Sequence, residues 1–146
     1  MRSLMLAIAI AATTLAGCAT SGEGATAAAA HGMDFNAKLA PPAGVASSGK
    51  GTASMSLDMT SKVLTYRVEY SGLTGPATAA HIHGPADPGA NAPPVIPFPT
   101  PASPIVGTAT LTDAQVADLH AGKYYVNVHT PANRGGEIRG QIMMGK

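Results

Sequence analysis

From residue 31 onward, apolar side chains recur at every second position. Met33, Phe35, Ala37 and Leu39 alternate with Asp34, Asn36 and Lys38, the period of a strand with one face buried and the other in water. The same period predicts strands over residues 52–58, through Ala53, Met55 and Leu57, and over residues 63–70, through Leu64, Tyr66, Val68 and Tyr70. Pro41-Pro42 with Gly44, the Thr60-Ser61-Lys62 run and residues 71–76 punctuate these strands as turns. Residues 78–83 form a fourth strand, with Ala80 and Ile82 on one face and Ala79, His81 and His83 on the other. Strand character returns over residues 105–111. Residues 123–129 set Tyr124, Val126 and Val128 against Tyr125, Asn127 and His129, and residues 137–144 form the last strand after a turn at 131–136.

Two stretches leave the two-residue period. Thr112 can cap a helix with Gln115 three residues on, Leu111 and Val116 form a hydrophobic staple, and Gly122 suits the far end. One helix of roughly two to three turns is therefore expected, with Asp113 at its positive end and His120 in its last turn. Residues 84–104 hold eight of the twelve prolines, and proline lacks the N–H that a central strand or a helix requires. Val95, Ile96 and Phe98 within this loop predict that it packs down on the domain. It starts just after His83, so it is either a cover for the histidine face or an insertion without a role. Short strands, one small helix and no alternation of strand with helix point to an antiparallel sandwich.

The first residues predict an address. Arg2, an apolar run from Leu4 to Leu15 and then Leu15-Ala16-Gly17-Cys18 have the form of a secretory signal too short to remain as a membrane span. The Leu-Ala-Gly-Cys tetrad resembles the bacterial lipobox, which implies cleavage before Cys18 and a diacylglycerol on its sulfur. Ala19 and Thr20, with no Asp after the cysteine, imply by the same resemblance an outer-membrane lipoprotein of the cell envelope. The expected organisation is a signal at residues 1–17, a flexible Ala/Gly/Ser/Thr tether at 18–30 and one domain at 31–146. Cys18 is the only cysteine, so an intrachain disulfide is excluded. Loss of Arg2 with the signal leaves eight basic against eight acidic side chains. Such a neutral chain has no footprint for nucleic acid, and the membrane is reached through lipid.

The chemistry rests on three of the five histidines. His81 and His83, two apart in a strand, project to the same side, and His129 ends a separate strand. If the fold unites the strands, three imidazoles form a metal site with an open position. This donor set suits copper or zinc rather than calcium or magnesium. His31, Met33 or an acidic side chain is available as a fourth ligand, and Asn127, Glu137 or backbone carbonyls as acceptors that orient the rings. Glu137 and Arg139 read as a surface or edge ion network. Met143-Met144 reads as core and edge packing, with soft copper ligation as the alternative. No Ser-His-Asp set, nucleophile elbow or phosphate loop is present in the sequence.

Several motifs together resemble the CHRD domain, found in chordin and in bacterial secreted proteins. They are Ala79-Ala80-His81-Ile82-His83-Gly84, Leu111-Thr112-Asp113-Ala114-Gln115, Gly122 through Thr130, and Gly136-Glu137-Ile138-Arg139-Gly140-Gln141. The resemblance covers about residues 31–144 and implies an all-β, immunoglobulin-like antiparallel Greek-key sandwich with one short helix. It implies no settled activity. The His-x-His and Val-His motifs are also similar to the copper ligands of copper–zinc superoxide dismutases. The bridging histidine, zinc-loop ligands and disulfide of those enzymes have no counterpart here. The expected function is metal binding or handover, with copper at His81, His83 and His129, rather than turnover. A scaffolding or protein-interaction module with structural histidines is the alternative, and dismutase-type redox chemistry is the third reading.

Overall fold

A computed structural model describes residues 32–145. The expected signal, Cys18, the tether and His31 lie outside the described residues. The alternating segments fold as strands β1 (Gly32–Leu39), β2 (Lys50–Asp58), β3 (Val63–Ser71), β4 (Ala79–His83), β5 (Pro94–Pro97) and β6 (Ile105–Thr110). Helix α1 (Asp113–His120) follows, and then strands β7 (Tyr125–His129), β8 (Ile138–Gln141) and β9 (Met143–Met144). Two antiparallel sheets result, one in the order β6-β3-β2-β1-β9 and the other β5-β4-β7-β8. Consecutive strands β3 and β4 lie in different sheets, and β6 returns to pair with β3.

The two inward faces build the core. Phe35, Leu39, Met55, Leu57, Leu64, Tyr66 and Val68 come from the five-stranded sheet, and Ala80, Ile82, Val126, Val128 and Ile138 from the four-stranded one. All but Ile138 lie on faces that the two-residue period groups together. Aliphatic side chains carry most of this core, as expected of a chain with no Trp and two Phe. The helix has the expected cap: the Gln115 amide donates to Thr112 Oγ1 at 3.2 Å, and the Thr112 amide donates to Gln115 Oε1 at 2.9 Å. Gly122 follows α1 at φ 71°, a conformation that favours glycine.

Two segments depart from the sequence expectation. Pro94–Pro97 lies inside the proline-rich loop yet forms β5, paired with β4 as Ile82↔Ile96 and His81↔Pro97. Proline is tolerated there because β5 is an edge strand, whose outward side needs no ladder donors. Ile96 and Phe98 enter the core from this segment. The final strand expected over residues 137–144 divides: β8 belongs to the four-stranded sheet and β9 crosses to pair with β1 in the other. Ile142, fully buried, marks the crossing, and its amide donates to the Tyr124 carbonyl. Among the described residues no helix is long and apolar enough to cross a membrane.

Candidate metal centre

The register of β4 against β7 places the histidines. Ala79 pairs with His129, His81 with Asn127 and His83 with Tyr125. Because alternate residues face alternate sides, Ala80, Ile82, Val126 and Val128 enter the core. His81, His83 and His129 then stand together on the outer face. Sequence reasoning put these three on matching faces, and tertiary pairing brings them into one cluster.

The ligand atoms lie within 4.8 Å of one another. His81 Nδ1 is 3.2 Å from His129 Nε2, close to the roughly 3.3 Å between two nitrogens on one tetrahedral ion with bonds of about 2.0–2.1 Å. The ring centroids of the trio are 5.1–5.5 Å apart. The tautomers are set from behind. His83 Nδ1 meets the Ala92 carbonyl at 2.9 Å, and His129 Nδ1 meets the Arg134 carbonyl at 2.9 Å. A carbonyl only accepts, so both Nδ1 atoms carry the proton and both Nε2 atoms present lone pairs. Among the described residues, His83 Nε2 is buried and has no hydrogen-bond partner. An orphaned acceptor beside two other imidazole nitrogens is the arrangement a cation would satisfy.

The environment favours the neutral form of His81 and His83. Burial lowers the affinity of His81 for a proton, and the neighbouring His129 and His83 lower it further. Burial also lowers that of His83, against the opposing bond to Ala92, with His129 and Arg139 adding to the depression. Neutral imidazole is the form that ligates a metal.

The first part of the proline-rich loop folds back on this outer face. Ala92 bonds both His83 and the Tyr125 hydroxyl, and Arg139 donates to Asn91 Oδ1 at 2.9 Å and to the Ala90 carbonyl at 2.8 Å. The Tyr125 ring stacks on His83 at 5.1 Å, and the Arg139 guanidinium lies 3.7 Å from the same ring centre. The loop thus packs over Tyr125 and the His83 side of the cluster. A cleft of about 650 Å³ flanks the trio and is lined by Thr78, Ala79, Pro94, Pro131 and Arg134 besides the three imidazoles. Gly84 lets the chain leave β4 behind His83: at φ 153°, an added Cβ there would stand 2.2 Å from Tyr124 Cδ1. Gly84→Ala is therefore expected to destabilise the domain by about 1–3 kcal/mol, the cost of overpacking, read as a lower urea midpoint with an unchanged slope.

Several expected roles resolve differently. Met33 sits on β1 in the opposite sheet, paired with Leu57 and packed against the core. Asn127 donates to the Gly135 carbonyl and its Oδ1 has no partner among the described residues, so the acceptors that set the His83 and His129 tautomers are backbone carbonyls. Glu137 does not belong to a surface ion network with Arg139. It is fully buried, and its carboxylate accepts from Ser47 Oγ, the Thr74 amide, Thr74 Oγ1, Thr130 Oγ1 and Asn133 Nδ2. Burial pushes its pKa up, but the bonds from Ser47, Thr130 and Thr74 outweigh that and hold it down at about 2. Nothing in its local sequence marks this role, because every partner except Thr130 and Asn133 comes from a distant loop. His120 lies on α1, apart from the cluster, and Met143 and Met144 form the exposed edge strand β9.

An antiparallel β-sandwich carrying three imidazoles on the outer face of its smaller sheet defines the class of this molecule. The family model of the CHRD domain matches residues 35–142, and the chain belongs to the CHRD domain family. No curated protein and no solved structure matches the chain.

Proposed function

We propose that this CHRD domain binds a transition metal, copper above all, through His81, His83 and His129, for holding or handing over the ion. The observation that carries the reading is the buried, partnerless Nε2 of His83 set among the imidazoles of His81 and His129. An all-imidazole set without thiolate or carboxylate suits copper and zinc, and for such nitrogen ligands copper(II) binds more tightly than zinc. A purely structural trio accounts for the contact between His81 and His129, but it leaves His83 Nε2 unsatisfied. The test is to load the purified full chain, kept in detergent, with Cu(II) and desalt it. One retained ion per chain supports the proposal, and no retained ion sinks it.

The lipobox-like Leu15-Ala16-Gly17-Cys18 run supports a second part of the reading, a protein tethered to the cell envelope by lipid at Cys18. The site would then work at a membrane surface, in the outer membrane by the lipobox resemblance. Cys18→Ser is expected to move the protein from the membrane pellet to the soluble fraction and to abolish incorporation of a labelled fatty acid. Unchanged pelleting and labelling would refute the anchor while leaving the metal site untouched.

A further inference from the structure

We infer that the cleft beside the histidines takes a small organic carboxylate, its charged end set between the metal and the guanidinium of Arg134. This rests on the metal-binding reading and extends it to the ligand that completes the site. Charge is the first argument. Imidazole ligands bring no negative charge to a divalent ion, and no acidic residue lines the cleft among the described residues. The ion's charge and that of Arg134 therefore add, and cleft walls of low dielectric constant strengthen the attraction for an anion.

Arg134 itself is the second argument. It lines the cleft, and among the described residues its guanidinium makes no ion pair and no hydrogen bond to a protein group. Its own carbonyl receives the Nδ1 proton of His129, so its backbone is fixed relative to a metal ligand. The other arginine of this face, Arg139, is already committed to Asn91, Ala90 and the Tyr125 ring. A guanidinium fork matches a carboxylate in a bidentate pair, whereas it has no such fit to a monatomic anion. Three imidazoles also leave a coordination position to which a carboxylate oxygen can bind.

The walls supply the third argument. Pro94, Pro131 and Ala79 present apolar surface beside Arg134, within a cleft of about 650 Å³. That space exceeds the needs of an inorganic anion and suits a carboxylate carrying a short apolar chain, whose burial favours binding.

The experiment uses the full chain in detergent, loaded with Co(II) for its visible bands, with the retained metal measured separately. Butyrate, acetate and chloride are titrated at constant ionic strength. A saturable band shift is expected, with butyrate binding more tightly than acetate and acetate more tightly than chloride. Arg134→Gln should weaken butyrate at least about tenfold, as for loss of a charge-assisted hydrogen-bond pair, with metal retention unchanged. Arg134→Lys should fall between the two. Absence of a saturable shift, equal butyrate affinity in Arg134→Gln, or chloride binding as well as butyrate would each overturn the inference alone. A chain that retains no metal would overturn the metal reading along with it.

Discussion

Replacing His83 with alanine should lower metal affinity by more than about 100-fold, beyond the 10–100-fold typical when an outer-shell partner of a metal ligand is lost. His83 is the most constrained of the three imidazoles. Its Nδ1 is committed to Ala92, its ring is stacked on Tyr125, and its buried Nε2 has no hydrogen-bond partner among the described residues. A metal that binds only the folded chain adds about 4 kcal/mol to stability when free ion is 1,000 times Kd. Thermal unfolding of the wild type should therefore shift upward with added Cu(II), and the shift should shrink by about two thirds or more in His83→Ala, where 100-fold weaker binding leaves about 1.4 kcal/mol. His81→Ala and His129→Ala should behave alike, whereas His120→Ala, on α1, should keep the full shift. Equal metal-induced stabilisation in His83→Ala and wild type would refute the assignment. Comparing shifts within each variant separates ligand loss from any change in the stability of the metal-free chain.

Glu137→Gln should destabilise the fold by about 2–4 kcal/mol, because hydrogen bonds to a buried charge are individually worth about 1.5–3 kcal/mol and the amide keeps only part of the network. The carboxylate joins Ser47 from the β1–β2 connection, Thr74 from the β3–β4 connection, and Thr130 and Asn133 from the β7–β8 turn. The same turn carries Arg134, whose carbonyl orients His129. The pH dependence has a definite sign. The folded-state pKa, at about 2, lies below the ordinary value of 4.5, so between these values the unfolded chain binds a proton that the folded chain refuses. The contribution of Glu137 is complete above about pH 4.5 and is lost as pH falls toward about 2. Urea midpoints measured from pH 7 downward should show the gap between wild type and Glu137→Gln narrowing through that window. A gap independent of pH would mean that the carboxylate charge is not what the five donors stabilise.

Much of the architecture is legible in the linear pattern because a strand with one buried face writes its own period. Leu64, Tyr66 and Val68 face inward as the alternation requires, and Thr112 and Gln115 cap α1 through contacts only three residues apart. The pairing of His81 with His83 is equally local, since two residues in one strand share a face whatever the fold. Strand β5 was not legible: its prolines forbid a central position, and only its place at a sheet edge makes them harmless. The division of the last strand is hidden for a related reason. Ile142 is apolar like its neighbours, and the switch between sheets is set by which partner, β7 or β1, each half meets.

Taken alone, the chain specified most of its strands, its capped helix, its inward faces and a pair of histidines on one side of β4. It also contained the motifs of its family. The folded molecule decided three things that no local pattern encodes. His129 joins the pair because β7 pairs with β4 in a register that sets it opposite Ala79. Carbonyls of Ala92 and Arg134, from two different loops, determine which nitrogens face the site. Glu137 becomes a buried latch rather than a surface charge because loops far apart in sequence converge on it. Side-chain periodicity is local and so survives in the sequence, whereas register, loop return and the burial of a charge depend on chain segments that meet only after folding.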